Sequence, residues 1–157
     1  MDKRVNKEEI EMPLAAGTEL QLSVMYNPNL SLADTCKLQI DFEMGNPSEN
    51  RLFHVKFVIH EGKDELRLVQ SSKENGKWIN CAPELQKIHI DNLVVGKNSL
   101  RIVVGPEEFE VYINDKRYNS CVSTARLQQF TAIILDRAKS ACFLPIPDTI
   151  QLQNKGC

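Results

Sequence analysis

The side chains that could do chemistry in this sequence are concentrated between Leu52 and Glu84. On Phe53-His54-Val55-Lys56-Phe57-Val58-Ile59, alternation sends Phe53, Val55, Phe57 and Ile59 toward a core, and His54, Lys56 and Val58 to the opposite face. The chain returns through Leu66-Arg67-Leu68-Val69-Gln70-Ser71-Ser72, turns at Asn75-Gly76 and reaches Trp78, the only tryptophan. A tryptophan beside a polar strand face suits a pyranose. The ring covers the sugar's C–H patch, and neighbouring polar groups hold its hydroxyls. The plainer readings are a solvated or locally hydrogen-bonded strand histidine at His54, a solvated lysine at Lys56 and a buried plug over the hairpin at Trp78.

Other chemistries lack their residues. The sequence holds no Gly-x-Ser-x-Gly elbow, phosphate-binding glycine loop, His-Glu-x-x-His helix or dinucleotide fingerprint, so no catalytic residue and no cofactor site is expected. The five cysteines, Cys36, Cys81, Cys121, Cys142 and Cys157, form no Cys-x-x-Cys pair, and His54, His60 and His89 are unclustered, so no metal site is expected either. An odd, scattered cysteine set fits reduced thiols better than a disulfide framework. Cys81, four residues from Lys77, reads as a small semi-buried side chain.

The elements that must position these residues are strands. Period-two alternation recurs at Leu20, Leu22 and Val24; Leu38, Ile40 and Phe42; Leu66 and Leu68; and Ile88 and Ile90. It continues at Leu100, Ile102 and Val104; Phe109, Val111 and Ile113; and Phe130, Ala132 and Ile134. Turn formers separate the runs at Gly45-Asn46-Pro47-Ser48, Glu61-Gly62-Lys63-Asp64, Asn75-Gly76, Gly96-Lys97-Asn98, Gly105-Pro106 and Asn114-Asp115. Short strands at hairpin spacing, with no helical stripe, predict an all-β, two-sheet antiparallel β-sandwich. Residues 1–11 are charged and read as a flexible polar tail. Residues 12–157 read as a single domain, with a short C-terminal extension past Phe143 in which Leu144-Pro145-Ile146-Pro147 shields a sheet edge.

Composition narrows the partners. Nineteen Lys and Arg against 21 Asp and Glu give a net charge of −2, spread along the 157 residues. Duplex nucleic acid and anionic membranes both need a concentrated basic face, so neither is expected as a partner. No apolar run reaches the roughly 18 residues of a membrane helix, and Met1 to Met12 is too polar for a signal peptide. The expected location is the cytoplasm or nucleus, where Asn29-Leu30-Ser31 would not meet a glycosyltransferase.

The hairpin resembles the galectin family, whose members read His-x-Asn-x-Arg on one strand, Val-x-Asn on the next and Trp-x-x-Glu-x-Arg after the turn. The resemblance spans about Met12 to Phe143, including Phe109-Glu110-Val111-Tyr112-Ile113-Asn114-Asp115. It implies a jelly-roll sandwich of the galectin and concanavalin kind. His54 and Trp78 stand where the family has its His and Trp, while Lys56 and Val58 stand at the first Asn and Arg positions. Ser71 replaces the second Asn, and Cys81 and Pro83 stand at the Glu and second Arg positions. The resemblance implies a non-catalytic, lectin-like module with His54, Lys56, Ser71 and Trp78 as candidate glycan-binding residues. The substitutions imply weak or altered glycan specificity. The alternative is an intracellular protein-interaction or scaffolding module on this fold that has lost galactoside binding and works through a protein partner or a homodimer. The resemblance also allows export without a signal peptide.

Overall fold

The computed structural model describes residues 6–9, 14–27, 36–44, 49–59, 66–80, 87–120, 122–136 and 143–154. Their strands are β1 (Asn6–Glu9), β2 (Thr18–Tyr26), β3 (Cys36–Met44), β4 (Arg51–Ile59), β5 (Leu66–Glu74) and β6 (Lys77–Asn80). There follow β7 (Lys87–His89), β8 (Gly96–Val104), β9 (Phe109–Ile113), β10 (Lys116–Tyr118), β11 (Phe130–Asp136) and β12 (Phe143–Asn154). They form two antiparallel sheets, as the alternation predicts. The seven-stranded sheet runs β1-β11-β3-β4-β5-β6, with β7 also paired to β5, and the five-stranded sheet runs β10-β9-β8-β2-β12.

The alternating apolar residues meet between the sheets. Leu22, Leu38, Ile40, Phe42, Val55, Leu68, Ile102, Val104, Phe109, Val111 and Ile113 are all buried in one cluster. At its centre Phe53 stacks on Phe109 at 4.6 Å, with 12° between the ring planes, and Phe42 meets Phe109 edge-on at 5.4 Å. Phe42 and Phe53 are register partners in the larger sheet, and Phe109 comes from the smaller one, so this trio ties the two layers together. Each such side chain contributes roughly 1.5–3 kcal/mol by leaving water. The hairpin turns are also where the sequence puts them. Asn75 and Gly76 have φ of 51° and 78°, and Asn114 and Asp115 have 48° and 67°, the positive pairs that two-residue hairpins favour.

Several expectations are corrected. Asn6–Glu9, inside the stretch read as a flexible tail, is paired to Ala132–Leu135 at the sheet edge. Edge pairing satisfies backbone groups without any apolar side chain, so a polar composition conceals it. Residues 143–154 are not an extension but β12, which pairs with β2 from Tyr26↔Phe143 to Thr18↔Asn154. Pro145 and Pro147 sit in that edge strand, where a missing N–H is tolerated. Gly96-Lys97-Asn98 opens β8 rather than making a turn. Buried Asn98 donates to the carbonyls of Val94 and Gly96 and accepts from the Val94 N–H, folding the preceding loop onto the strand. In β11 a bulge between Phe130 and Ala132 changes the alternation. Ile133, opposite Phe42, joins the core with Phe130 packed against it, and Ala132 and Ile134 turn to the other face. The turn segments at 45–48 and 61–64 lie outside the described residues.

Candidate functional site

The outer face of the seven-stranded sheet is built from rows of register partners. One row runs Asp41 (β3), His54 (β4), Ser71 (β5) and Asn80 (β6). The next toward the hairpin runs Glu43, Arg51, Lys73 and Trp78, and the next away from it Gln39, Lys56 and Val69. Paired residues project to the same side of a sheet, so strand register alone gathers His54, Lys56, Ser71 and Trp78 on one face. Val58 falls one row further, between Lys37 and Arg67, and Cys81 and Pro83 lie outside the described residues.

Alternation by itself would put Arg51, odd-numbered like Phe53 and Val55, on the core side. A bulge prevents this. Register shifts on both sides of β4 leave one extra residue between Arg51 and His54. Leu52 and Phe53 are both fully buried, and Arg51 emerges on the outer face.

The side chains then form one connected cluster. His54 is only 6% exposed, and its Nδ1–H donates to Asp41 Oδ1 at 2.5 Å; a carboxylate can only accept, which sets the imidazole tautomer. Arg51 Nη1 reaches both Asp41 oxygens at 3.4 Å, and Gln39 Nε2 donates to Asp41 Oδ2 at 2.6 Å. Burial pushes the Asp41 carboxyl up, but the His54 hydrogen bond, the charges of His54 and Arg51 and the Gln39 amide outweigh it. The carboxyl is held below its ordinary value. His54 is thus a fixed and buried group rather than a solvated one.

Trp78 is 44% exposed and is not a buried plug. Its ring lies 4.9 Å from the His54 ring, tilted by 56°. The Arg51 guanidinium carbon sits 5.5 Å from the ring centroid and Lys73 Nζ 5.1 Å from it, both within cation–π range. Ser71 is buried beside His54, and Lys56 is half-buried one row away. Sequence reasoning missed Asp41, Arg51, Gln39 and Lys73. Asp41 carried a faint signal, an acid between Ile40 and Phe42 on a strand, whereas Arg51 carried none because its orientation depends on the bulge. Among the described residues no cluster of three or more His, Cys, Asp or Glu could hold a metal ion. No helix among the described residues is long and apolar enough to cross a membrane.

The family model for galactoside-binding lectins matches residues 6–133. The chain belongs to that family, the galectins. Galectin structures agree with it in fold. Sheep galectin-11 in complex with glycerol superposes with a TM-score of 0.72 at 15% identity, covering 98% of this chain and 99% of that one. A substituted human galectin-16 does so with 0.72 at 22% identity, covering 95% and 94%. Caenorhabditis elegans galectin LEC-6 gives 0.62 at 10% identity, covering 96% and 94%. No curated protein matches by sequence. The galectin match spans every strand that builds the outer-face rows, and the galectin sandwich accounts for both sheets.

Proposed function

We propose that this galectin-family chain is a non-catalytic glycan-binding module of altered specificity, with Trp78 as its platform and His54, Lys56 and Ser71 around it. One observation carries the reading. Trp78 presents nearly half its surface to solvent while its inner side rests beside a histidine locked by Asp41. Such a ring is held in place, yet open to a pyranose face. The altered specificity follows from Lys56, Val58, Ser71, Cys81 and Pro83, which cannot make the amide, guanidinium and carboxylate contacts that galactoside hydroxyls receive at those positions in the family. The test uses the single tryptophan as reporter. The reduced protein is titrated with lactose and a panel of neutral and acidic glycans while Trp78 emission is followed, and Trp78→Ala is compared by calorimetry. Saturable binding that Trp78→Ala abolishes supports the reading, and a flat response across the panel overturns it.

A second reading, a protein-interaction module, draws support from β6. This strand ends the path of the larger sheet and exposes both Trp78 and Ile79, at 44% and 48%, one on each face. An extended partner segment added to that edge would cover both, in the cytoplasm or nucleus or across a homodimer. Pull-down that Ile79→Lys abolishes, with no glycan response, is its expected signature.

A further inference from the structure

We infer that Asn75 is a self-modification site: its side-chain amide is converted by water to a carboxylate through a cyclic imide, and the conversion releases Trp78 from its place on the sheet. Two hairpins of this chain turn on an asparagine of positive φ, Asn75 at 51° between β5 and β6 and Asn114 at 48° between β9 and β10. Their side chains are held in opposite ways. Asn114 is fixed at both ends of its amide, since Oδ1 accepts from the Ser99 N–H at 2.9 Å and Nδ2 donates to Asn92 O at 3.0 Å and to Asn98 Oδ1 at 2.9 Å. Asn75 is exposed, and its side chain makes no hydrogen bond among the described residues. The next residue differs as well. Gly76 is exposed, and a Cβ built there would meet nothing within 4 Å, whereas Asn114 is followed by Asp115, which carries a side chain. An imide at Asn75 therefore closes into open space.

The Gly76 backbone nitrogen, after giving its proton to hydroxide, attacks Asn75 Cγ. The new C–N bond closes the ring, the Cγ–Nδ2 bond breaks, and ammonia leaves with a proton taken from water. Water then opens the ring on either side of its nitrogen. Breakage at Cγ leaves aspartate, and breakage at the main-chain carbonyl leaves isoaspartate, whose backbone runs through the former side chain. The Gly76 N–H donates to Glu49 O at 2.8 Å and the Asn75 N–H to Asn50 Oδ1 at 3.2 Å, so the reaction proceeds from a turn in which these contacts have opened. Aspartate fits the turn, as Asp115 does at φ 67° in the other hairpin. Isoaspartate lengthens it by one backbone atom, and the pairs Glu74↔Lys77 and Lys73↔Trp78 that close on the turn lose their register. Trp78 then leaves the His54 ring, 4.9 Å away.

The experiment incubates the full-length reduced protein at mildly alkaline pH. Peptides carrying residues 75 and 114 are followed by mass spectrometry and by chromatographic separation of isoaspartate, with Trp78 emission recorded in parallel. The residue-75 peptide is expected to gain the mass of an amide turned acid while the residue-114 peptide stays intact, and Trp78 emission is expected to shift in step with isoaspartate. Asn50→Ala removes one contact that pins the turn and is expected to speed conversion roughly two- to tenfold. Asn75→Gly, which keeps the positive φ without an amide, is expected to show neither mass gain nor emission drift. Equal conversion at 75 and 114 overturns the inference. So does an intact Asn75 in the folded protein under conditions where the urea-unfolded chain converts. Isoaspartate forming with unchanged emission overturns the link to Trp78. None of these outcomes depends on sugar binding, so the glycan-binding reading stands or falls separately.

Discussion

Arg51 and His54 stand three residues apart on one β-strand and yet project from the same side of the sheet, because the bulge at Leu52–Phe53 adds one residue between them. Both side chains converge on Asp41, His54 at 2.5 Å and Arg51 at 3.4 Å. The irregularity in β4 is what assembles the cluster beneath Trp78. Arg51→Met tests the contact so assembled. Without the guanidinium Asp41 loses one of its cationic partners, so we expect a loss of roughly 1–3 kcal/mol in urea unfolding. Wild-type stability in the variant would rule out the Arg51–Asp41 contact as part of what holds the cluster.

Asp41→Asn is expected to act in two ways. At neutral pH it removes the negative charge and one of the two acceptor oxygens that His54, Arg51 and Gln39 share, lowering stability by about 2–4 kcal/mol. Asp41 also titrates below its ordinary value of 3.8 in the folded protein, so its stabilisation is fully present above that value and is lost as pH falls through the folded one. The wild-type urea midpoint should therefore fall more steeply than the variant's below about pH 4. Parallel acid limbs would show that Asp41 does not couple to folding.

Gly105 is a second sensitive position. A Cβ built there would sit 2.5 Å from the backbone oxygen of Glu108, which already accepts the Gly105 N–H at 3.1 Å. Gly105→Ala forces the β8–β9 turn open and is expected to cost about 1–3 kcal/mol, read as a lowered melting temperature. An unchanged melting temperature would show that the turn can shift freely.

Asn98 holds the loop before β8 through bonds to Val94 and Gly96, and it also accepts from Asn114 Nδ2 at 2.9 Å. Asn98→Ala leaves those groups unanswered and should cost about 2 kcal/mol. Hydrogen exchange gives the local check. The Val94 amide should exchange faster, whereas Val111 and Ile113, central to the core, should change only with global stability.

The sandwich was legible because its information is local. Phe42, Phe53, Phe109 and their alternating neighbours announce which faces are buried, and Asn75-Gly76 and Asn114-Asp115 announce where strands reverse. The bulges were not legible, since alternation assumes a strict period of two and one inserted residue reverses every assignment beyond it. That is why Arg51 was missed and why Ile133 took the core place expected of Ala132 and Ile134. β1 was hidden for a different reason, its pairing being made by backbone groups that have no sequence code. At the site, His54 and Trp78 could be read by type and position, but the buried Asp41 beneath them depends on cross-strand register.

The smaller sheet takes its edge pair from opposite ends of the chain, with Thr18 beside Asn154. During synthesis β2 leaves the ribosome well before β12, so one side of β2 stays open to wrong partners until residues 143–154 have emerged. The larger sheet has a similar delay, because β1 waits for β11. The smaller layer can therefore close only once residues 143–154 are available to β2, and folding carries the slow, long-range search typical of sandwiches.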